Sequence, residues 1–401
     1  MVRKDFIISK TRTYLRDFID PVAEPADKPR RRFLHQTLGA ILLSGSLVVT
    51  EFSHCIHDKC TDGYYTIKRL LNHLVSARGD LTAVVGAYRT QMNRYIEPDI
   101  LLVLDLTDLA KPRARKMKYI DLVRDGSEDK LVAGYWCTEV YACAKGKRII
   151  PLALDVFSMQ DPSVGSQNLR IEQTIDQVHT ALNSKGIWVA DRGFDGLNMY
   201  ETWFSRKCPF VVRQRGDRCV VTKTGVRIVE NDLIERLRQL WVNQGLAGDI
   251  VFCKVTLPDH EQPLYLAAHW QSGCEKPLIL LTTMVVENRQ QAQQVIGMYK
   301  KRWSCEEAIQ FLKGRVGLER FRVRQYEAIQ RLAILAMLAM GFLTWVLLRS
   351  RRLTKYLFSL TSRFRKERKF VYYRLLDGLQ QLARLRRLTF EDHLLQPLEK
   401  G

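Results

Sequence analysis

Residues 100–108 read Ile-Leu-Leu-Val-Leu-Asp-Leu-Thr-Asp, and residues 187–194 read Ile-Trp-Val-Ala-Asp-Arg-Gly-Phe. In both stretches a run of apolar side chains closes on a carboxylate. A short unbroken apolar run marks a strand buried on both faces, as in the parallel part of a sheet. Asp105 and Asp191 are therefore expected at the carboxyl ends of two buried strands, where sheet proteins commonly carry their reactive groups. A carboxylate there is costly without a compensating charge, and a divalent cation is the simplest one. Helix capping is the plain alternative. It is the stronger reading for Asp108, and it is weak for Asp191 because Asp195 is better placed to cap the next helix.

Working outward, the segments YWCTEVYACAKG and KRIIPLALDVF predict a hairpin, followed by a helix over Gln167 to Asn183. The stretch IWVAD, a helix from Gly196 to Arg206 and the strand PFVVRQ come next. Strands followed by alternating strand and helix imply an α/β fold, a mixed sheet with flanking helices. The less regular residues 217–276 predict a β-rich insertion, after which PLILLTT resumes the sheet and a long helix covers Asn288 to Lys313. The expected organisation is a helical N-terminal DNA-binding domain (1–99), for which a helical cap on the core is the alternative, a core in two parts (100–216 and 277–324) around the insertion, and a basic helical C-terminal region (325–401).

The whole chain has 401 residues, 46% apolar and 26% charged, which excludes a collagen, a disordered tail or a disulfide mini-protein. A net charge of +20 points to a polyanionic partner. Between Arg349 and Arg387 stand thirteen Lys or Arg against two acids, a density suited to a phosphate backbone or, alternatively, a solvated basic face. Nine scattered cysteines and an N-terminus lacking an apolar leader predict a reducing cytoplasm. The uncharged stretch Leu332 to Leu348 is just long enough to span a bilayer, but basic flanks on both sides favour a buried core helix and no membrane association. His54, Cys55, His57 and Cys60 are zinc-capable, yet no second ligand pair follows at finger spacing.

At about 100° per residue, a continuous helix would gather Tyr299, Arg302, Glu306 and Lys313 on one face. The alternative is an exposed face carrying an ordinary Arg302–Glu306 ion pair. Three carboxylates from Asp105, Asp191 and Glu306 are what phosphoryl transfer with two Mg²⁺ ions requires. The neighbouring cations would grip phosphates. Trp303, next to Arg302, reads either as a stacking surface for DNA or as core packing.

With these residues in view, the sequence resembles bacterial cut-and-paste DDE transposases of the insertion sequence four family. Tyr299, Arg302, Glu306 and Lys313 fit that family's Y-x2-R-x3-E-x6-K signature, Asp105-Leu106-Thr107 its D-x-T, and Asp191-Arg192-Gly193-Phe194 its D-x-G-[FY]. The resemblance implies an RNase H-like core, with Asp105, Asp191 and Glu306 as metal-holding catalytic acids for two Mg²⁺ ions, for which Mn²⁺ would substitute. It also implies DNA contacts by Tyr299, Arg302, Lys313 and Trp303, and a synaptic homodimer acting on transposon ends and target DNA. Some members stack an insertion tryptophan on a flipped base, and Trp241 and Trp270 lie in the matching region here. Other readings are an RNase H-like nuclease without strand transfer and a DNA-binding regulator with inactive acids.

Overall fold

The computed structural model describes residues 4–56, 62–76, 80–125, 130–144, 146, 148–361 and 370–384. Helices α1 (Lys4–Ala23), α2 (Lys28–Ser44), α3 (Val49–Ser53), α4 (Gly63–Val75) and α5 (Thr82–Asn93) come first. Strands β1 (Leu101–Ala110), β2 (Asp121–Asp125), β3 (Lys130–Ala144) and β4 (Arg148–Phe157) follow, then α6 (Gln167–Ala181), β5 (Ile187–Ala190), α7 (Leu197–Ser205) and β6 (Phe210–Arg213). Next are β7 (Cys219–Thr222), β8 (Arg227–Val229), α8 (Glu230–Asn243), β9 (Ile250–Thr256), β10 (Leu264–His269) and β11 (Leu278–Thr282). The chain closes with α9 (Arg289–Lys300), α10 (Trp303–Phe311), α11 (Tyr326–Arg349), α12 (Arg351–Ser359) and α13 (Val371–Arg384). The fold is α/β and RNase H-like: a group of four strands (β1 to β4), the helix α6, then parallel strands β5 and β6 laid successively beside β1.

The chain forms two compact units, and neither is continuous in sequence. One comprises Met1–Ile96, Leu106–Asn183 and Glu306–Gly401; the other comprises Glu97–Asp105 and Ser184–Cys305. β1 and α10 each run from one unit into the other.

In the first unit, β3 pairs antiparallel with β2 near its start and with β4 over the rest of its length. α11 packs on β4 and supplies much of the core, burying eighteen of its residues from Tyr326 to Leu347. It is long and apolar enough to cross a membrane, yet 83% of its most apolar window is enclosed by protein. That places the stretch inside the fold, as its basic flanks predicted. Each fully buried Leu or Ile there contributes roughly 1.5–3 kcal/mol. Contact is close: the Tyr88 hydroxyl donates to the Pro151 carbonyl at 2.7 Å while its ring fills the space left by Gly341.

In the second unit the sheet runs β1-β5-β6-β11-β10-β9-β7-β8. The apolar runs explain its centre, since Leu102, Val103, Leu104, Trp188, Val189, Val211 and Val212 are all fully buried. The strands of the expected insertion extend this sheet edgewise, with β11 antiparallel to β6. Its short helical piece is in fact the fourteen-residue α8.

Three expectations need correction. β1 continues to Ala110, so Asp105 lies within the strand and is not its last residue. Asp108 is also a strand residue, and caps no helix. Asp195 does not cap α7, whose N-cap is Gly196. The Asp195 carboxylate instead accepts from Arg218, the Arg215 backbone and the Tyr200 hydroxyl, a buried network of higher charge than a cap requires.

Candidate active site

Parallel pairing sets the site. β1 and β5 pair from Leu101↔Ile187 to Leu104↔Ala190. The residues after the last pair therefore stand side by side at one level, Asp105 within β1 and Asp191 just past the end of β5. β6 continues the register with Ala190↔Val212, which brings Arg213 beside Asp191. Sequence reading missed Arg213, although PFVVR carries the same signal as the two Asp stretches, an apolar run closing on a charge.

The groups that meet the two acids come from α9 and the turn after it. The expected continuous helix from Asn288 to Lys313 is broken: α9 ends at Lys300, α10 begins at Trp303, and one π-helical turn covers Leu312–Val316. The face predicted from a constant 100° step therefore does not exist as one surface. Tyr299, in the last turn of α9, and Arg302, in the break itself, instead reach the acids. The Tyr299 hydroxyl donates to Asp191 Oδ1 at 2.8 Å. Arg302 Nη1 donates to Asp105 Oδ2 at 3.1 Å, and its Nη2 lies 4.0 Å from Asp191 Oδ2. Arg213 Nη1 stands 3.7 Å from Asp191 Oδ1.

Burial works to raise the pKa of Asp191. The Arg192 backbone N–H, the Tyr299 hydroxyl and the charges of Arg302 and Arg213 outweigh it and hold the carboxyl below its ordinary range. Burial first, then the Asp191 charge and hydrogen bond, push Tyr299 upward, so its phenol stays a donor.

Trp303 is 69% exposed, which excludes the core-packing reading and leaves its ring open. Glu306 stands in the first turn of α10 and is half-buried. Lys313 belongs to a separate group in the first unit. Its ammonium lies 3.0 Å from Glu319 Oε1 and 3.6 Å from Asp108 Oδ1, and these acids offset its burial and raise its pKa. Lys111 donates to the carbonyls of Glu319 and Phe321 nearby, and burial pushes it down to about 8 against the pull of Glu319. Trp241 and Trp270 are both engaged, one edge-on to Phe252 and the other beneath Arg238. His57 and Cys60 of the zinc-capable stretch lie outside the described residues.

Among the described residues no group of three or more His, Cys, Asp or Glu is arranged to hold a metal. Mg²⁺ nevertheless needs only one or two protein carboxylates beside water and substrate phosphate. Asp105 and Asp191 supply hard oxygen donors side by side, which fits such an ion.

Residues 165–342 match the family model for the transposase DDE domain. This segment resembles a transposase DDE domain. The matched DDE segment contains Asp191, Tyr299, Arg302, Trp303, Glu306 and Lys313, while Asp105 precedes it. No protein of curated function matches the chain. Among solved structures, a piggyBac transposase in a synaptic complex with hairpin DNA is 12% identical, with 92% of this chain and 74% of that chain covered and a TM-score of 0.49.

Proposed function

We propose that the chain is a DNA transposase that binds the inverted repeats of its element, cuts there and joins the 3′ ends to target DNA. The observation carrying this reading is the register that sets Asp105 and Asp191 side by side, with Asp191 inside a segment resembling a transposase DDE domain. Asp105 and Asp191 would hold Mg²⁺, or Mn²⁺ in its place, and the family resemblance implies Glu306 as the third acid and a second ion. Bound there, the cations supply Lewis-acid polarisation of the reacting phosphodiester oxygens.

The protein's own groups do the rest. Tyr299 and Arg302 keep Asp191 ionised and oriented. On binding DNA, Tyr299, Arg302 and Lys313 exchange carboxylate partners for phosphate oxygens, which carry the same sign of charge. Trp303 offers an open ring to a base. The N-terminal region 1–99 and the basic C-terminal region 325–401 supply further contacts to the DNA backbone. Two copies hold the two DNA ends in a synaptic homodimer, working in the cytoplasm on nucleoid DNA.

The test is Mg²⁺-dependent nicking of a supercoiled plasmid bearing the element's ends. Asp191→Ala is expected to lower nicking by about 10²–10³-fold or more while duplex binding persists. A parent protein that never cuts with any divalent cation ends the enzyme reading. Cutting without joined products identifies a nuclease instead.

A further inference from the structure

The acid pair already carries its own cations. Arg302 reaches Asp105 at 3.1 Å and Asp191 at 4.0 Å, and Arg213 brings a second guanidinium to 3.7 Å from Asp191. Two carboxylates facing two guanidinium groups are close to charge balance. The Arg302 side chain is only 11% exposed, whereas the Asp105 and Asp191 side chains are 32% and 29% exposed. Oxygens open to solvent are thus backed by an enclosed positive charge. A divalent ion entering here meets two guanidinium charges within a few ångströms, in surroundings that screen less than bulk water.

Building on the proposed transposase reading, we propose that Arg302, assisted by Arg213, is a positioning residue that holds Asp105 and Asp191 together without metal and keeps their divalent-cation affinity low. Guanidinium and metal then compete for the same carboxylate oxygens. A DNA phosphate at the site adds the negative charge that answers the arginines, so DNA and metal raise each other's affinity, as linkage requires. This ties loading of the acids to the presence of substrate.

The experiment measures Mn²⁺ binding to the full chain without DNA, from loss of the free-ion electron paramagnetic resonance signal. Arg302→Gln keeps a hydrogen-bond donor and removes the charge, and is expected to bind Mn²⁺ at least about tenfold more tightly than the parent. Arg302→Lys restores the charge and is expected to return the affinity to within about threefold of the parent. Arg213→Gln, at a partly exposed strand end, tests the same balance without altering a buried group and is expected to tighten binding about threefold. If neither Gln variant binds more tightly than the parent, the proposal is overturned. Asp191→Asn tells the two failures apart. If it loses Mn²⁺ binding while the Gln variants stay at parental affinity, only the role of the arginines falls. If it binds as the parent does, the metal site and the reading beneath it fall together.

Discussion

Asp191 and Asp195 are four residues apart and serve opposite ends. Asp191 faces solvent in part and is held ionised by donors on three elements, while Asp195 is enclosed with Arg218 at 2.6 Å. Sequence alone could rank Asp191 as chemical, because it ends an apolar run. It could not assign Asp195, because its charged partner, Arg218, arrives from twenty-three residues further on. The same enclosure traps Glu230, the first residue of α8, which is fully buried. Burial, aided by the charge of Asp195, pushes its pKa up to about 8, against a partial pull from Arg218. A raised carboxyl pKa favours the folded state most below the unfolded value of about 4.5, and that advantage fades as pH rises through about 8. Glu230→Gln is always neutral and lacks this loss. Between pH 5 and pH 8 the parent is expected to lose about 3–5 kcal/mol more unfolding free energy than Glu230→Gln. Urea denaturation at the two pH values checks this, and parallel pH dependence in both proteins would refute it.

At the scale of elements, the strands were the legible part. Unbroken apolar runs at residues 100–104 and 187–190 gave β1 and β5 and, through them, both aspartates. Where β1 ends was not legible, because Leu106-Thr107-Asp108 alternates like an exposed strand or a turn and its burial depends on partners outside the run. The break after Lys300 was equally hidden: Lys-Lys-Arg-Trp contains no Gly or Pro, so periodicity carried the helix straight through it. α11 shows the converse, a helix plain in sequence whose surroundings decide its meaning. Its Gly341 meets Tyr88, and an added Cβ would lie 2.5 Å from the Tyr88 hydroxyl oxygen. That hydroxyl is fixed by its bond to Pro151 on β4, so the ring cannot retreat cheaply. Gly341→Ala gains roughly 1 kcal/mol of helix propensity. Overpacking at a site this tight costs about 1–3 kcal/mol, and the pinned ring sets the cost at the upper end. A net loss of about 1–2 kcal/mol in chemical denaturation is expected, and a stabilised variant would show that α5 and α11 have slack between them.

For the whole molecule, charge says more than any single contact. The chain carries a surplus of twenty positive charges, while Asp105, Asp108, Asp155, Asp195 and Glu319 are each paired with a cation of the chain itself. The unmatched positive charge is then available to polyanions, and each phosphate neutralised releases counterions. If binding engages about six to ten phosphates, the logarithm of the DNA association constant should fall with the logarithm of salt at a slope of roughly −5 to −9. Trp303→Ala removes a ring and no charge, so it should weaken binding while leaving that slope unchanged. Arg213→Gln should make the slope shallower by about one. Fluorescence anisotropy of a labelled duplex across 50 to 300 mM salt, on the order of conditions where counterion release dominates, measures all three. A slope near zero for the parent would mean that the surplus charge does not face nucleic acid, and the polyanion argument would fail at its first step. A slope altered by Trp303→Ala would mean that its ring positions neighbouring cations, because stacking alone leaves the count of displaced counterions untouched.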